Sequence, residues 1–191
     1  MIHRKDGSVS GWIGDLKDGS PDATTELWNR YFSKLVRVAK NNLSRHLTRG
    51  GDEEDVALSA FHSFVRGVDR GAFAKLDDRN DLWRLLMVIT LRKAADQAVR
   101  ESCQKRGGGR VRAAADVMTH GKQFDLGESL SSDPSPDVIA LVRDHLNCLL
   151  NRLDDPTLQA IAVAKMEGQT DGEIAAMCGC VRRTIVRKLA V

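Results

Sequence analysis

Thr170-Asp171-Gly172-Glu173-Ile174-Ala175-Ala176-Met177-Cys178-Gly179-Cys180-Val181-Arg182-Arg183-Thr184-Ile185-Val186-Arg187-Lys188-Leu189-Ala190-Val191 is the stretch whose reading decides the fold. Thr170 followed three residues later by Glu173 has the spacing of a capping box, in which hydroxyl and carboxylate each take a backbone N–H of the first helical turn. A short helix therefore starts at Thr170, and Gly179 separates it from a second helix beginning near Arg182. Ile174, Ala175, Val181, Ile185 and Leu189 fit the side on which the two helices pack, leaving Arg182, Arg183, Arg187 and Lys188 outside. Between Gly179 and Val191 there are four basic residues and no acid. Size, order and polarity are those of a helix-turn-helix whose second helix enters duplex DNA, where phosphate neutralisation supplies affinity and Arg pairs with guanine edges. A solvated basic helix end is the alternative that the same charges allow.

Working upstream, Ser135-Pro136 and Asp155-Pro156 each place a capping side chain before a proline at the first helical position. They open helices running to about Leu153 and to Gly168. Residues 102–135 carry Gly107-Gly108-Gly109, Ser129 to Ser132 and Pro134 to Pro136 without sustained periodicity, the composition of a flexible linker. Before it, Ser10 can cap a short helix bearing Trp12, Ile13 and Leu16 that stops at Gly19. Ser20-Pro21 restarts the chain, and Leu27, Tyr31, Leu35, Val38 and Leu43 keep helical spacing from Asp22 to about Leu47. Gly50-Gly51 breaks this helix. Asp52-Glu53-Glu54-Asp55 then sets four acids at the start of a third, where the helix dipole favours them; Val56, Ala60, Phe64 and Val68 mark its buried stripe. Asp69 to Asp81 reads as a long polar loop, and Leu82 to about Glu101 as a fourth helix with an apolar first half. The expected fold is all-α: two small helical domains, 10–101 and 136–191, joined by the linker 102–135.

Composition agrees and narrows the function classes. Of 191 residues, 42% are hydrophobic and 29% charged, and with three Trp, one Tyr and five Phe the cores must be built from Leu, Val, Ala and Ile. The net charge of +3 is mild, so clustering of basic residues says more than their total. No apolar run near Met1 is long enough for a signal peptide or a membrane span, which points to a cytoplasmic protein. Cys103, Cys148, Cys178 and Cys180 have no disulfide-framework spacing, and Cys178-Gly179-Cys180 lacks the second pair or nearby His of a metal site. His3, His46, His62, His120 and His145 fall in separate elements, and Gly107-Gly108-Gly109 lacks the strand, Lys and Ser/Thr of a phosphate loop. No catalytic constellation, metal or cofactor is expected.

Two further charge features stand out. Arg92, Lys93, Arg100, Lys105, Arg106, Arg110 and Arg112 form a basic zone with only Asp96 and Glu101 against it. It could follow a phosphate backbone, or simply complement the C-terminal dipole of a helix. The acids 52–55 would repel DNA, so beside exposed apolar residues they suit a protein partner; dipole complementation is the alternative.

In this order the pieces resemble the extracytoplasmic-function group of the bacterial sigma-70 family, over about Ser10 to Glu101 and Val138 to Val191. Asp52-Glu53-Glu54-Asp55-Val56 leading to Phe61 is similar to the family segment that docks on the clamp helices of the polymerase beta-prime subunit, with Leu58-Ser59 where the family usually has Gln-Glu. Leu82-Trp83-Arg84-Leu85-Leu86 through Ala94-Ala95-Asp96 is similar to the helix that lies along the minus-10 element, with Arg92 at the usual Asn. Glu167-Gly168-Gln169-Thr170 through Ile174-Ala175, then Gly179 to Leu189, resembles the minus-35 reader.

The resemblance implies a promoter-specificity subunit that binds core RNA polymerase at its beta-prime clamp helices and beta flap, with an anti-sigma factor as a further partner. It implies polymerase contacts at Asp52, Glu53, Asp55 and Phe61, and minus-10 contacts at Arg84, Arg92, Lys93 and Arg100. Minus-35 contacts fall on Arg182, Arg183, Thr184, Val186, Arg187 and Lys188, with Arg183, Val186 and Arg187 facing bases and Arg182 a phosphate. The loop before Leu82 takes the place of the loop that pockets an unstacked base. The family continues for several basic residues beyond the position of Val191, so a recognition helix cut short is expected. The alternatives are a helix-turn-helix regulator acting without polymerase, and a protein-interaction decoy.

Overall fold

Ser8 Oγ accepts the Gly11 N–H at 3.1 Å and so starts α1 (Val9–Lys17). The cap is therefore Ser8 rather than the expected Ser10; beginning there puts Val9 on the same buried stripe as Ile13 and Leu16. This computed structural model describes residues 8–43, 52–105 and 135–190, without the side chains of Val99 and 101–105. Pro21 occupies the first turn of α2 (Pro21–Asn42), which buries Leu27, Tyr31, Leu35 and Val38. The helix was expected to run to about Leu47, but it ends at Asn42, where Leu43 turns extended as its C-cap and donates its N–H to Ala39 O at 2.9 Å; the break expected at Gly50-Gly51 lies outside the described residues. The acids Asp52, Glu53, Glu54 and Asp55 form the first turn of α3 (Asp52–Asp69).

The fourth helix, α4 (Arg79–Lys105), begins three residues before the expected Leu82. Asp78 is the reason: its carboxylate accepts the N–H groups of Asn80 at 2.7 Å and Asp81 at 2.8 Å, satisfying donors that otherwise have no helical partner. The loop is correspondingly short, and it is pinned by buried Leu76 and by Phe73, whose ring stacks on Phe64 at 6.3 Å. Ser135 and Asp155 cap α5 (Pro136–Asn151) and α6 (Pro156–Met166) by accepting from Val138 and Thr157, as their Ser-Pro and Asp-Pro pairs predict. Two short helices follow, α7 (Asp171–Met177) and α8 (Arg182–Leu189).

Among the described residues all regular structure is helical, so the all-α expectation holds. α2, α3 and α4 pack against one another around Tyr31, Phe64, Leu82, Leu86 and Met87, with α1 across α2. Trp28 stacks on Phe32 at 4.2 Å and meets Phe61 edge-on at 5.1 Å; Tyr31 stacks on Trp83 at 5.8 Å. Ile139 of α5 is buried in this same cluster, 1% exposed. A second, smaller cluster joins Ile161, Ala164, Ile174, Ala175 and Ile185 of α6, α7 and α8. The expected linker lies, from residue 106 to 134, outside the described residues.

Candidate nucleic-acid interface

Hydrogen bonds close α7 at both ends, and those at its end form the turn into α8. At its start Thr170 N–H donates to Glu173 Oε2 at 2.9 Å and Glu173 N–H to Thr170 Oγ1 at 3.3 Å, the reciprocal pair that the sequence predicts. At its end Cys180 N–H donates to Ala175 O at 2.9 Å and Gly179 N–H to Ala176 O at 3.3 Å. This double closure needs a left-handed residue, and Gly179 supplies it at φ +62°.

On α8, Ile185 is fully buried in the C-terminal cluster, with Thr184 and Lys188 half-buried beside it. Arg182, Arg183, Val186 and Arg187 are exposed. At about 100° per residue, these four cluster on the side of the helix opposite Thr184, Ile185 and Lys188. The exposed face thus presents three guanidinium groups around one aliphatic side chain, donors for phosphate and base edges together with an apolar contact for a thymine methyl. Val181 and Leu189 were expected between the helices, but both are exposed. Val181 is the extended N-cap residue, outside the helical turn, and Leu189 ends the helix while Ile185 fills the small cluster.

Lys188 turns away from that face. Its ammonium donates to Asp155 Oδ2 at the N-cap of α6, fixing α8 on α6. The Lys188 hydrogen bond, helped by the Thr157 N–H, holds the Asp155 carboxyl down at about 2. The Thr170 N–H and hydroxyl, and then the Arg70 guanidinium, similarly lower the carboxyl of Glu173.

The four basic residues expected to follow minus-10 DNA do not share one face of α4. Lys93 is nine positions from Arg84, about half a helical turn away in angle. Arg84 is exposed and borders an apolar groove with Met87, Val88, Val142 and Leu149; Arg100 is exposed. Arg92 pairs with Asp96 at 3.6 Å, and Lys93 with Glu167 at 3.3 Å. Among the remaining basic-zone residues, Lys105 has no described side chain, and Arg106, Arg110 and Arg112 lie outside the described residues.

On α3, Glu54 and Asp55 are exposed and Asp52 and Glu53 half-buried. Phe61, expected at the polymerase contact, is 5% exposed and packed between Trp28 and Phe64, where its ring holds α3 in the bundle. Leu58, three residues after Asp55 and 54% exposed, is the apolar side chain that this surface does offer. Arg66, Arg70, Glu167 and Asp155 tie elements together through partners that no sequence signal reveals, because those partners are distant in the chain.

Among the described residues no group of three or more His, Cys, Asp or Glu is placed to hold a metal, and no helix is long and apolar enough to cross a membrane. The chain gave no match among curated proteins or solved structures. The family model for ECF sigma factors, however, matches residues 6–191, from before α1 through α8. A helix-turn-helix with a basic outer face, an acid-led α3 and a match over nearly the whole length lead to one conclusion: the chain belongs to the ECF sigma factors, the sigma-70-type subunits that direct RNA polymerase to initiate transcription.

Proposed function

We propose that α8 reads the minus-35 element, with Arg183, Val186 and Arg187 toward base edges and Arg182 on a phosphate, and that the chain divides functionally into 10–101 and 136–191. The exposed Arg182, Arg183, Val186 and Arg187, lying opposite buried Ile185, carry this reading. Lys188 and half-buried Thr184 position the helix; Lys188 does so through Asp155. Core RNA polymerase and promoter DNA are the partners of the family.

Within that frame Asp52, Glu53 and Asp55, with Leu58 beside them, meet the beta-prime clamp helices, and the α6 to α8 unit meets the beta flap. Arg84, Arg92, Lys93 and Arg100 serve the minus-10 strand, and an anti-sigma factor competes for these surfaces in the cytoplasm. The polymerase performs the chemistry, and this chain contributes no catalytic group. Run-off transcription with core polymerase tests the assignment. Asp55→Arg should abolish polymerase association in a pull-down, whereas Arg183→Ala should leave association intact and lower promoter-directed transcript about tenfold, the loss of one good bidentate pair. An Asp55→Arg chain that still binds core, or an Arg183→Ala chain that transcribes normally, would sink it.

A further inference from the structure

Two thiols flank the turn that carries α7 into α8, and the DNA-reading face uses neither. Cys178 is the C-cap of α7, and Cys180 precedes Val181, the N-cap of α8. Both thiols are free and half-buried, and both side chains pack on the cluster of Ile161, Ala164, Ile174, Ala175 and Ile185. They therefore share one side of the turn while remaining within reach of solvent. Between them Gly179, at φ +62°, curls the backbone, and the hydrogen bonds from Gly179 and Cys180 to Ala176 and Ala175 hold that curl. A left-handed helical step sets its flanking Cα atoms about 5.4 Å apart, the same chord as in a right-handed turn, inside the roughly 4.4–6.8 Å that a disulfide spans. A Cβ added to Gly179 would meet nothing within 4 Å, so the outer side of the turn is open to a reagent.

Joining the sulfurs moves them. Two free thiols stand no closer than van der Waals contact, about 3.5 Å between heavy atoms, and a covalent bond draws at least one off the cluster that seats Ile185. The start of α7 is the anchored side. There the backbone of Gly168 rests on α3, where a Cβ added to it would lie 2.6 Å from Gly67 Cα, and Arg70 Nη1 donates to Glu173 Oε2 at 2.7 Å. α8 is held by less, Ile185 in the cluster and Lys188 on Asp155. The displacement consequently falls on α8 and on its exposed Arg182, Arg183 and Arg187.

We propose that Cys178 and Cys180 form a dithiol site that a small-molecule disulfide oxidises to a disulfide within the turn, and that this closure moves α8 out of its reading position. The effect on DNA rests on the minus-35 assignment above; the chemistry of the pair does not. Two exchanges complete the reaction. One cysteine gives up its proton and its sulfur attacks the oxidant; the S–S bond of the oxidant breaks, half leaves and takes up a proton as a thiol, and a mixed disulfide remains. The second cysteine, deprotonated in turn, attacks the protein sulfur of that mixed disulfide, and the other half leaves as a second thiol. The pair loses two electrons and two protons, and the oxidant gains both.

The test treats the full chain with oxidised glutathione, blocks remaining thiols with iodoacetamide and digests with trypsin, which releases residues 166–182 as one peptide holding both cysteines. In the parent chain this peptide should appear two hydrogens lighter, carrying neither alkyl groups nor glutathione, and dithiothreitol should restore both alkylation sites. Cys180→Ala should instead retain glutathione on Cys178, as should the exposed free thiol of Cys148 on α5. Run-off transcription with core polymerase reads the consequence. Oxidation should lower promoter-directed transcript from the parent chain about fivefold, the low end for one lost bidentate base contact, and reversibly, with capture by core polymerase unchanged. The double variant Cys178→Ala, Cys180→Ala should transcribe equally before and after the oxidant. Glutathione retained on Cys178 and Cys180 of the parent chain, with no lighter peptide, overturns the site. A lighter peptide with undiminished transcript, or an equal loss in the double variant, overturns the displacement of α8. A reduced parent chain that binds core yet gives no promoter-directed transcript would instead overturn the minus-35 assignment, with the peptide masses still deciding the dithiol.

Discussion

Ile185 is the side chain on which α8 depends, because it alone carries that helix into the C-terminal cluster at 0% exposure. Ile185→Ala should cost about 3 kcal/mol, the usual toll of truncating a buried aliphatic residue, read as lost helicity and a lower melting temperature. Lys188 and Asp155 make a different kind of tie. The Asp155 carboxyl is lowered from 3.8 to about 2 in the folded chain, so the pair adds stability above the unfolded value and loses it as pH falls through about 2. An NMR titration should therefore find Asp155 ionised at pH 3, and Lys188→Met should return it toward ordinary behaviour. Leu58 makes no comparable internal contribution: at 54% exposure, Leu58→Asp should alter stability by no more than about 0.5 kcal/mol, yet weaken capture by core polymerase. The sequence marks Leu58 only as a departure from the family pattern; that it faces outward while Phe61 faces inward follows from packing against Trp28 and Phe64.

At the scale of elements, periodicity and punctuation carry most of the fold. Ser-Pro and Asp-Pro starts, the capping box and the turn glycine locate α2, α5, α6, α7 and α8 closely, because each signal is local; Ser135, Asp155 and Thr170 each take a backbone N–H a few residues on, whereas at α2 Pro21 suffices without a cap bond from Ser20. Boundaries shift where two capping groups compete. Ser8 starts α1 in preference to Ser10, and Asp78 starts α4 before Leu82, since burial of Val9 and capping by Asp78 enter the balance only in the assembled chain. The basic zone that begins on α4 shows a related effect: spacing shows which residues share a face, but the attachment of Lys93 to Glu167, 74 positions away, is tertiary. Thr170→Ala should lower stability by about 1 kcal/mol through loss of the cap, seen as an earlier thermal transition of the C-terminal helices. The same substitution should loosen the Glu173 carboxylate that Arg70 grips.

Across the described residues the N-terminal and C-terminal clusters are unequal. The first draws on α1 to α5, including Ile139 from the C-terminal segment, whereas the second has five buried residues, two of them alanine. A segment of this size is marginal by itself, since small domains bury too little of their surface. An excised 135–190 fragment should accordingly be less helical and melt lower by circular dichroism than the same segment in the intact chain. This dependence is invisible in the sequence, where Ser135-Pro136 looks like the start of an independent unit. It emerges only from the seat of Ile139 and from the glycine contact between α3 and the start of α7.

That glycine contact sets the strength of a helix against the proximity of two halves. Gly67 lies in the last turn of α3, where alanine would still strengthen the helix, by no more than about 1 kcal/mol, yet its Cβ would strike the Phe73 ring and come within 3.1 Å of Gly168 Cα. One methyl group at position 67 is therefore a wedge: it makes the element more durable and the assembly less closed, so gain in local order and loss of global compactness arrive in a single substitution.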